Sequence, residues 1–238
     1  MKVAVVKYNA GNIFSVVHAL GRLGVEPLLT DCAEELRSAD RVIFPGQGEA
    51  SGAMRYLRER GLDKVITSLT QPVLGICIGQ QLMCRHSEEG DVDCLGIFNA
   101  DVKRFRPVRH EDKIPHMGWN SLTFHVEEQG ARSKEQENTF CPNKPLVPCP
   151  LPLSPLFRGL GEEYVYFVHS YYVPVCEHTA AVTDYIHPFS AAMQKDNFYA
   201  TQFHPEKSGA VGQQILRNFL NLPPQPFSQR DGEINGKW

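Results

Sequence analysis

The sequence predicts an α/β fold with a mostly parallel central sheet and helices on both faces. Short β-branched runs recur through the first hundred residues, and each gives way to a turn signal and then to helical spacing. Alternation at this spacing demands crossover connections, which are right-handed and build a parallel sheet. The chain has 238 residues, 42% of them hydrophobic and 21% charged, enough to bury a substantial core.

Lys2 to Tyr8 is the first run, closed by the turn and cap signal Asn9-Ala10-Gly11-Asn12. Val16, Val17, Leu20 and Leu23 then recur at helical spacing until Gly24. Val25 to Leu29 reads as a second strand, followed by a short helix near Ala33 to Arg37. Arg41-Val42-Ile43-Phe44 meets the turn Pro45-Gly46-Gln47-Gly48, and helical patterning resumes at Glu49. Pro72 to Ile76 leads into another glycine-bearing turn. Further strands are expected at Lys103–Phe105, Trp119–Leu122, Tyr164–Val168, Ala180–Thr183 and Tyr199–Phe203, and an amphipathic helix at Ser208–Leu220. Residues 1–222 are thus expected to form one domain. Its segment from about 124 to 157, charged and then proline-rich, reads as a long surface insertion, because such proline spacing forbids helix and interior strand. The polar tail 223–238 is expected to be flexible.

Composition excludes several classes. A net charge of −3 is too near neutral for nucleic-acid binding driven by a basic field. No apolar run approaches the about 18 residues that span a bilayer, and the amino terminus is too polar for a secretory signal. Seven scattered cysteines fit free thiols and a cytoplasmic location, and no spacing suggests structural zinc.

The chemistry concentrates in three places. In Leu74-Gly75-Ile76-Cys77-Ile78-Gly79-Gln80-Gln81 an apolar strand runs into a cysteine with a glycine two positions away on each side, and a helix pattern follows. This is the signature of a nucleophile elbow, whose helix amino terminus favours a thiolate. A buried packing cysteine is the plainer alternative. The other six cysteines lack such a context. A nucleophilic thiol needs a base and the base an orienting acceptor; Phe203-His204-Pro205-Glu206 supplies both within three residues, although alone it also reads as a simple strand exit. His169 sits in a strand pattern without a nearby carboxylate, and His116 reads as loop structure. In the turn Gly46-Gln47-Gly48 the flanking glycines let peptide N–H groups turn toward a developing oxyanion.

Together these elements resemble the class I, triad-type glutamine amidotransferases. Pro115-His116-Met117-Gly118-Trp119-Asn120 and Tyr166-Phe167-Val168-His169-Ser170-Tyr171 are similar to segments of one branch, the amidotransferase subunits of imidazole glycerol phosphate synthase. The resemblance implies Cys77 as nucleophile, His204 as general base and acid, and Glu206 as orienter. It implies an oxyanion hole at Ile78 and Gln47-Gly48, and glutamine contacts at Gly79, Gln81, Glu89, Ser170 and Tyr171. Asn12, Trp119, Tyr166 and Lys207 would face a cyclase (β/α)8-barrel partner in a heterodimer, and no metal or organic cofactor is implied. The chain departs from the family at Gln47, where valine is usual, and in Cys-Ile-Gly-Gln-Gln, where Cys-Leu-Gly-Met-Gln is common. Rival readings are an amidotransferase of anthranilate or aminodeoxychorismate synthesis and a stand-alone γ-glutamyl hydrolase or peptidase; a silent binding module is disfavoured by the intact Cys, His and Glu.

The insertion should be dispensable for chemistry. With residues 128–152 replaced by a short Gly/Ser linker, glutamine hydrolysis is expected to persist; loss of folding would show instead that the segment packs on the core.

Overall fold

A computed structural model of the chain describes residues 1–8, 13–46, 48–124, 154–161 and 163–223. The first part runs β1 (Val3–Val6), α1 (Ile13–Arg22), β2 (Leu28–Thr30), α2 (Ala33–Arg37), β3 (Arg41–Phe44), α3 (Ala50–Glu59), α4 (Leu62–Thr67), β4 (Val73–Ile76) and α5 (Ile78–Leu82). The middle holds β5 (His86–Ser87), β6 (Val92–Asp93), β7 (Asp101–Arg104) and β8 (His116–Ser121). The last part runs β9 (Tyr164–His169), β10 (Tyr171–Tyr172), β11 (Thr179–Tyr185), β12 (His187–Lys195), β13 (Phe198–Thr201) and α6 (Gly209–Leu220).

Seven strands form the central sheet in the order β11-β12-β13-β4-β3-β1-β2. The pairs β1–β2, β1–β3, β3–β4 and β4–β13 are parallel, and β12 runs against both its neighbours. Its central strands are predominantly apolar because they are covered on both faces: β1, β4 and β13 are buried throughout. Period-2 alternation sends Val3 and Val5 to the face packed by α1 and α6, and Ala4 and Val6 to the face packed by α2, α3, α4 and α5. In α1, Ile13, Val16, Ala19 and Leu20 supply the inward stripe at helical spacing. Glu49 caps α3 by accepting hydrogen bonds from the N–H groups of Ser51 and Gly52. The expected α/β class and parallel sheet are present, with helices on both faces.

Two smaller units stand beside this sheet. One is a four-stranded sheet of order β10-β7-β5-β6; the other is the antiparallel ribbon β8–β9, registered from His116 opposite His169 to Ser121 opposite Tyr164. Three features depart from the sequence reading. His116 begins a strand and is buried, because β9 supplies its partner from some fifty residues away. Strand β12 carries no alternation to read, since Phe189 to Met193 are all buried under elements on both sides. The short helix α4 escaped notice as well. The insertion expected at 124–157 and the tail fall largely at 125–153 and 224–238, outside the described residues. No helix among the described residues is long and apolar enough to cross a membrane.

The ends of β3 and β4 approach α5 so closely that only glycine fits. A methyl group at Gly46 would lie 1.8 Å from the Ile76 carbonyl oxygen, and one at Gly79 would lie 2.3 Å from that of Phe44. Gly46→Ala is therefore expected to destabilise by about 1–3 kcal/mol, the range for overpacking. Gly21→Ala in α1, with open space around the added methyl, should stabilise by about 0.5–1 kcal/mol. Urea denaturation of both variants checks the contrast.

Candidate active site

Cys77 stands immediately after β4 and caps α5, with φ 52° and ψ −107°. Positive φ at a residue bearing a side chain is disfavoured, and such strain tends to cluster where function demands it. The neighbours hold it. Cys77 N–H donates to the Thr201 carbonyl (2.7 Å), which ties the elbow to the end of β13, and the Cys77 carbonyl accepts from Gln80 and Gln81 N–H (3.0 and 3.3 Å).

The parallel pairing of β13 with β4 sets Thr201 opposite Ile76, so the residues beyond each strand end emerge together. His204 arrives from that side, held by its N–H to the Tyr166 carbonyl (2.9 Å) and by Ser208 Oγ, which donates to its carbonyl (2.7 Å). Pro205–Lys207 form a single 3₁₀ turn, and this brings Glu206 back to the imidazole: His204 Nδ1 donates to Glu206 Oε1 at 2.7 Å. A carboxylate only accepts, so Nδ1 carries the proton and Nε2 is left free for chemistry. Nε2 is buried and makes no hydrogen bond within the described residues. Burial by itself would lower the imidazole's pKa, but the thiolate charge of Cys77, and after it Glu206, outweigh burial and push it up to about 10. The three residues predicted from separate parts of the sequence are thus brought into one cluster.

The turn after β3 closes over the elbow. Gly46 packs against Ile76 and Ile78 N, Gly48 takes φ 135°, and the Tyr8 phenol donates to the Pro45 carbonyl. Burial, with the nearby charge of Cys77, raises the Tyr8 phenol and keeps it protonated as that donor. Gln47 lies outside the described residues, as does Asn12.

The predicted glutamine contacts divide. Gln81 is buried, and its side-chain NH₂ is committed to the Tyr171 carbonyl (3.1 Å) and to Gln202 Oε1 (2.9 Å). Gly79 is accounted for by its close packing on Phe44. Glu89 accepts from Ala50 N–H (2.9 Å) at the start of α3; burial, with Glu49 nearby, raises its carboxyl above the ordinary value against the pull of that N–H. The Ser170 carbonyl accepts from Phe105 N–H (3.0 Å), and Tyr171 pairs with Arg104. No hydrogen bond ties Glu89 or the Ser170 side chain to Cys77. Sequence reasoning missed Gln202, whose Nε2 donates to Cys77 Sγ at 3.6 Å, and the pair His116–His169 (3.0 Å). Spacing offered one clue: Gln202 stands two residues before His204, and a polar side chain leaving an apolar strand toward the site needs a partner.

On the outer side of the β8–β9 ribbon, Trp119 is 56% exposed and sits opposite Tyr166, their rings 6.0 Å apart. Met117, Tyr164 and Phe14 are also exposed, and Lys207 is the last residue of the turn that carries Glu206. No group of three or more His, Cys, Asp or Glu among the described residues could hold a metal ion.

A cysteine elbow at the end of one strand, with a His-Glu pair arriving from the end of its parallel neighbour in a doubly covered sheet, is the arrangement of an amidotransferase-type hydrolase site. Residues 4–222 match the glutamine amidotransferase class-I family, and the chain belongs to that family. It is 60% identical over 223 residues to the imidazole glycerol phosphate synthase subunit HisH of Bacteroides thetaiotaomicron (93% of this chain, 100% of the relative) and 42% identical over 224 residues to that of Pectobacterium atrosepticum (93% and 100%); within the class it therefore belongs with the HisH subunits. A solved glutamine amidotransferase structure superposes with a TM-score of 0.61 at 18% identity, covering 91% of this chain and 96% of that one, and speaks for the fold alone.

The charge arrangement makes a directional expectation. His204 titrates higher in the folded chain than the ordinary 6.5, so its charged form stabilises the fold fully below about pH 6.5. That contribution is lost as pH rises through about 10. By NMR of the His204 ring, the midpoint should fall in Cys77→Ala and fall by less in Glu206→Gln; an unmoved midpoint in Cys77→Ala would separate the two residues.

Proposed function

We propose that the protein is the glutaminase subunit of imidazole glycerol phosphate synthase, hydrolysing glutamine to glutamate and ammonia and passing the ammonia to a cyclase (β/α)8-barrel subunit in histidine biosynthesis. The observation that carries this reading is the cluster of Cys77, His204 and Glu206 in a chain so similar to HisH subunits.

Cys77 thiolate attacks the side-chain amide carbon of glutamine. The negative charge that develops on the amide oxygen is met by N–H groups of Ile78 and, as the family resemblance implies, of the Gln47-Gly48 turn. His204, charged at neutral pH, gives its Nε2 proton to the departing nitrogen, so ammonia leaves and a γ-glutamyl thioester remains. His204 then takes a proton from water, hydroxide adds to the thioester, and glutamate departs as the thiolate re-forms. Glu206 holds the imidazole through Nδ1 throughout. Glu89, with Gly79, Gln81, Ser170 and Tyr171, forms the glutamine pocket, Glu89 offering a carboxylate to the substrate ammonium. Trp119, Tyr166, Lys207 and Asn12 face the barrel partner, joined by the exposed Met117 and Phe14. The complex works in the cytoplasm.

The test uses the full chain with a cyclase barrel subunit and its nucleotide substrate. Wild type should form product from glutamine or from ammonia. Cys77→Ala should lose glutamine-dependent turnover by about 10³-fold or more yet keep ammonia-dependent synthesis. Glutamine hydrolysis that ignores the barrel altogether would favour a stand-alone γ-glutamyl hydrolase.

A further inference from the structure

Cys77 Sγ has a polar neighbour besides His204. Gln202, fully buried, directs its side-chain Nε2 at the sulfur from 3.6 Å. An amide can turn either end toward a neighbour, and an oxygen aimed at a thiolate would repel it. Here the direction follows from chemistry two groups away. The Tyr171 carbonyl can only accept, and it takes hydrogen bonds from His169 Nδ1 (2.7 Å) and Gln81 Nε2 (3.1 Å). Gln81 must therefore present its NH₂, whose other hydrogen goes to Gln202 Oε1 (2.9 Å). Gln202 is left with its NH₂ toward the sulfur. Behind it, His169 with Nδ1 protonated has a bare Nε2, which accepts from His116 Nδ1 at 3.0 Å. Both rings are buried; burial holds His116 down to about 4, and burial together with the charges of His116 and His204 holds His169 down to about 3. The tautomers stay fixed across the neutral range. His116 is clamped flat between Tyr185 (4.0 Å between centroids, 14°) and Phe167 (5.0 Å, 23°).

We propose that Gln202 is a catalytic residue whose amide N–H stabilises the Cys77 thiolate, that Gln81 is the positioning residue that keeps that amide from turning over, and that His169, itself held by His116, positions the Tyr171 carbonyl on which Gln81 rests. The chain of hydrogen bonds begins on β8 one residue from exposed Met117 and three from Trp119, so it joins the ribbon to the sulfur. The inference rests on the reading of Cys77 as nucleophile.

The experiment follows iodoacetamide alkylation of the peptide bearing Cys77, by mass spectrometry, across pH in the full chain, with glutaminase kinetics on its complex with the barrel subunit. Gln202→Met removes the donor at similar volume, and Gln202→Glu keeps an acceptor for Gln81 but turns a charge on the sulfur. Both should shift the alkylation profile to higher pH, Glu further, and lower kcat by about 10- to 100-fold, the range for losing a hydrogen bond to a charged group, with KM little changed. A raised KM with unchanged kcat would make Gln202 a glutamine contact and overturn the proposal; so would a wild-type profile. His169→Phe leaves Gln202 in place yet should shift the profile in the same direction, and His169→Asn, whose amide can replace Nδ1–H, should restore it. This pair decides the matter if the Gln202 variants fail to fold, and a His169→Phe profile like the wild type would then refute the chain. Cys77→Ala is run in parallel: turnover surviving there would remove the nucleophile assignment itself, a result distinct from any failure at Gln202.

Discussion

The site depends on how closely three stretches of backbone approach one another where β3 and β4 end and α5 begins. Gly46 lies on the Ile76 carbonyl and Gly79 on that of Phe44, at separations that exclude any side-chain carbon. This crowding turns the chain abruptly at Cys77, whose φ of 52° costs on the order of 1–3 kcal/mol for a residue with a side chain. The surroundings over-determine that conformation. The N–H of Cys77 is claimed by β13, its carbonyl by the first turn of α5, and the opposing loop by Gly46 and Tyr8.

Buried polar groups extend the same logic outward. Gln80 Nε2 donates to the Ser190 carbonyl (3.1 Å) and Asn197 Nδ2 to the Leu69 and Gln71 carbonyls (2.9 and 2.8 Å), fastening β12 and the β12–β13 turn to the body of the domain. Ser208 joins the ribbon to the histidine turn twice over, accepting from Tyr166 N–H (3.0 Å) and donating to the His204 carbonyl (2.7 Å). With His204 N–H on the Tyr166 carbonyl, the imidazole is mounted on the strand whose outer face carries Tyr166 beside Trp119.

Local punctuation made the elbow legible. Two glycines around Cys77, and a proline that stops the chain after His204, act within a few residues of the groups they position, so spacing singled them out as candidates beside plainer structural readings, and the family resemblance gave them their roles. Most of the parallel strands were readable as short, largely apolar runs set between helix signals. What stayed hidden depends on distant partners. Nothing near His116 announces His169, and nothing near Gln202 announces Gln81. Strand β12 lacked alternation because both its faces are covered. The amide hydrogens of Gln81 are held by Tyr171 and Gln202; composition cannot reveal which of several buried acceptors a side chain will satisfy.

The placement of β13 between β4 and β12 has a consequence for how the molecule is made. A chain growing from the ribosome completes β4 with Cys77 long before Phe198–Thr201 exist, and until then β4 presents an unpaired, wholly apolar edge on the side β13 will occupy. Closing that edge is the same event that delivers Gln202, His204 and Glu206 to the sulfur. The nascent protein therefore cannot consume glutamine before its sheet is whole, and the interval before closure is when that apolar edge is most exposed to mispairing.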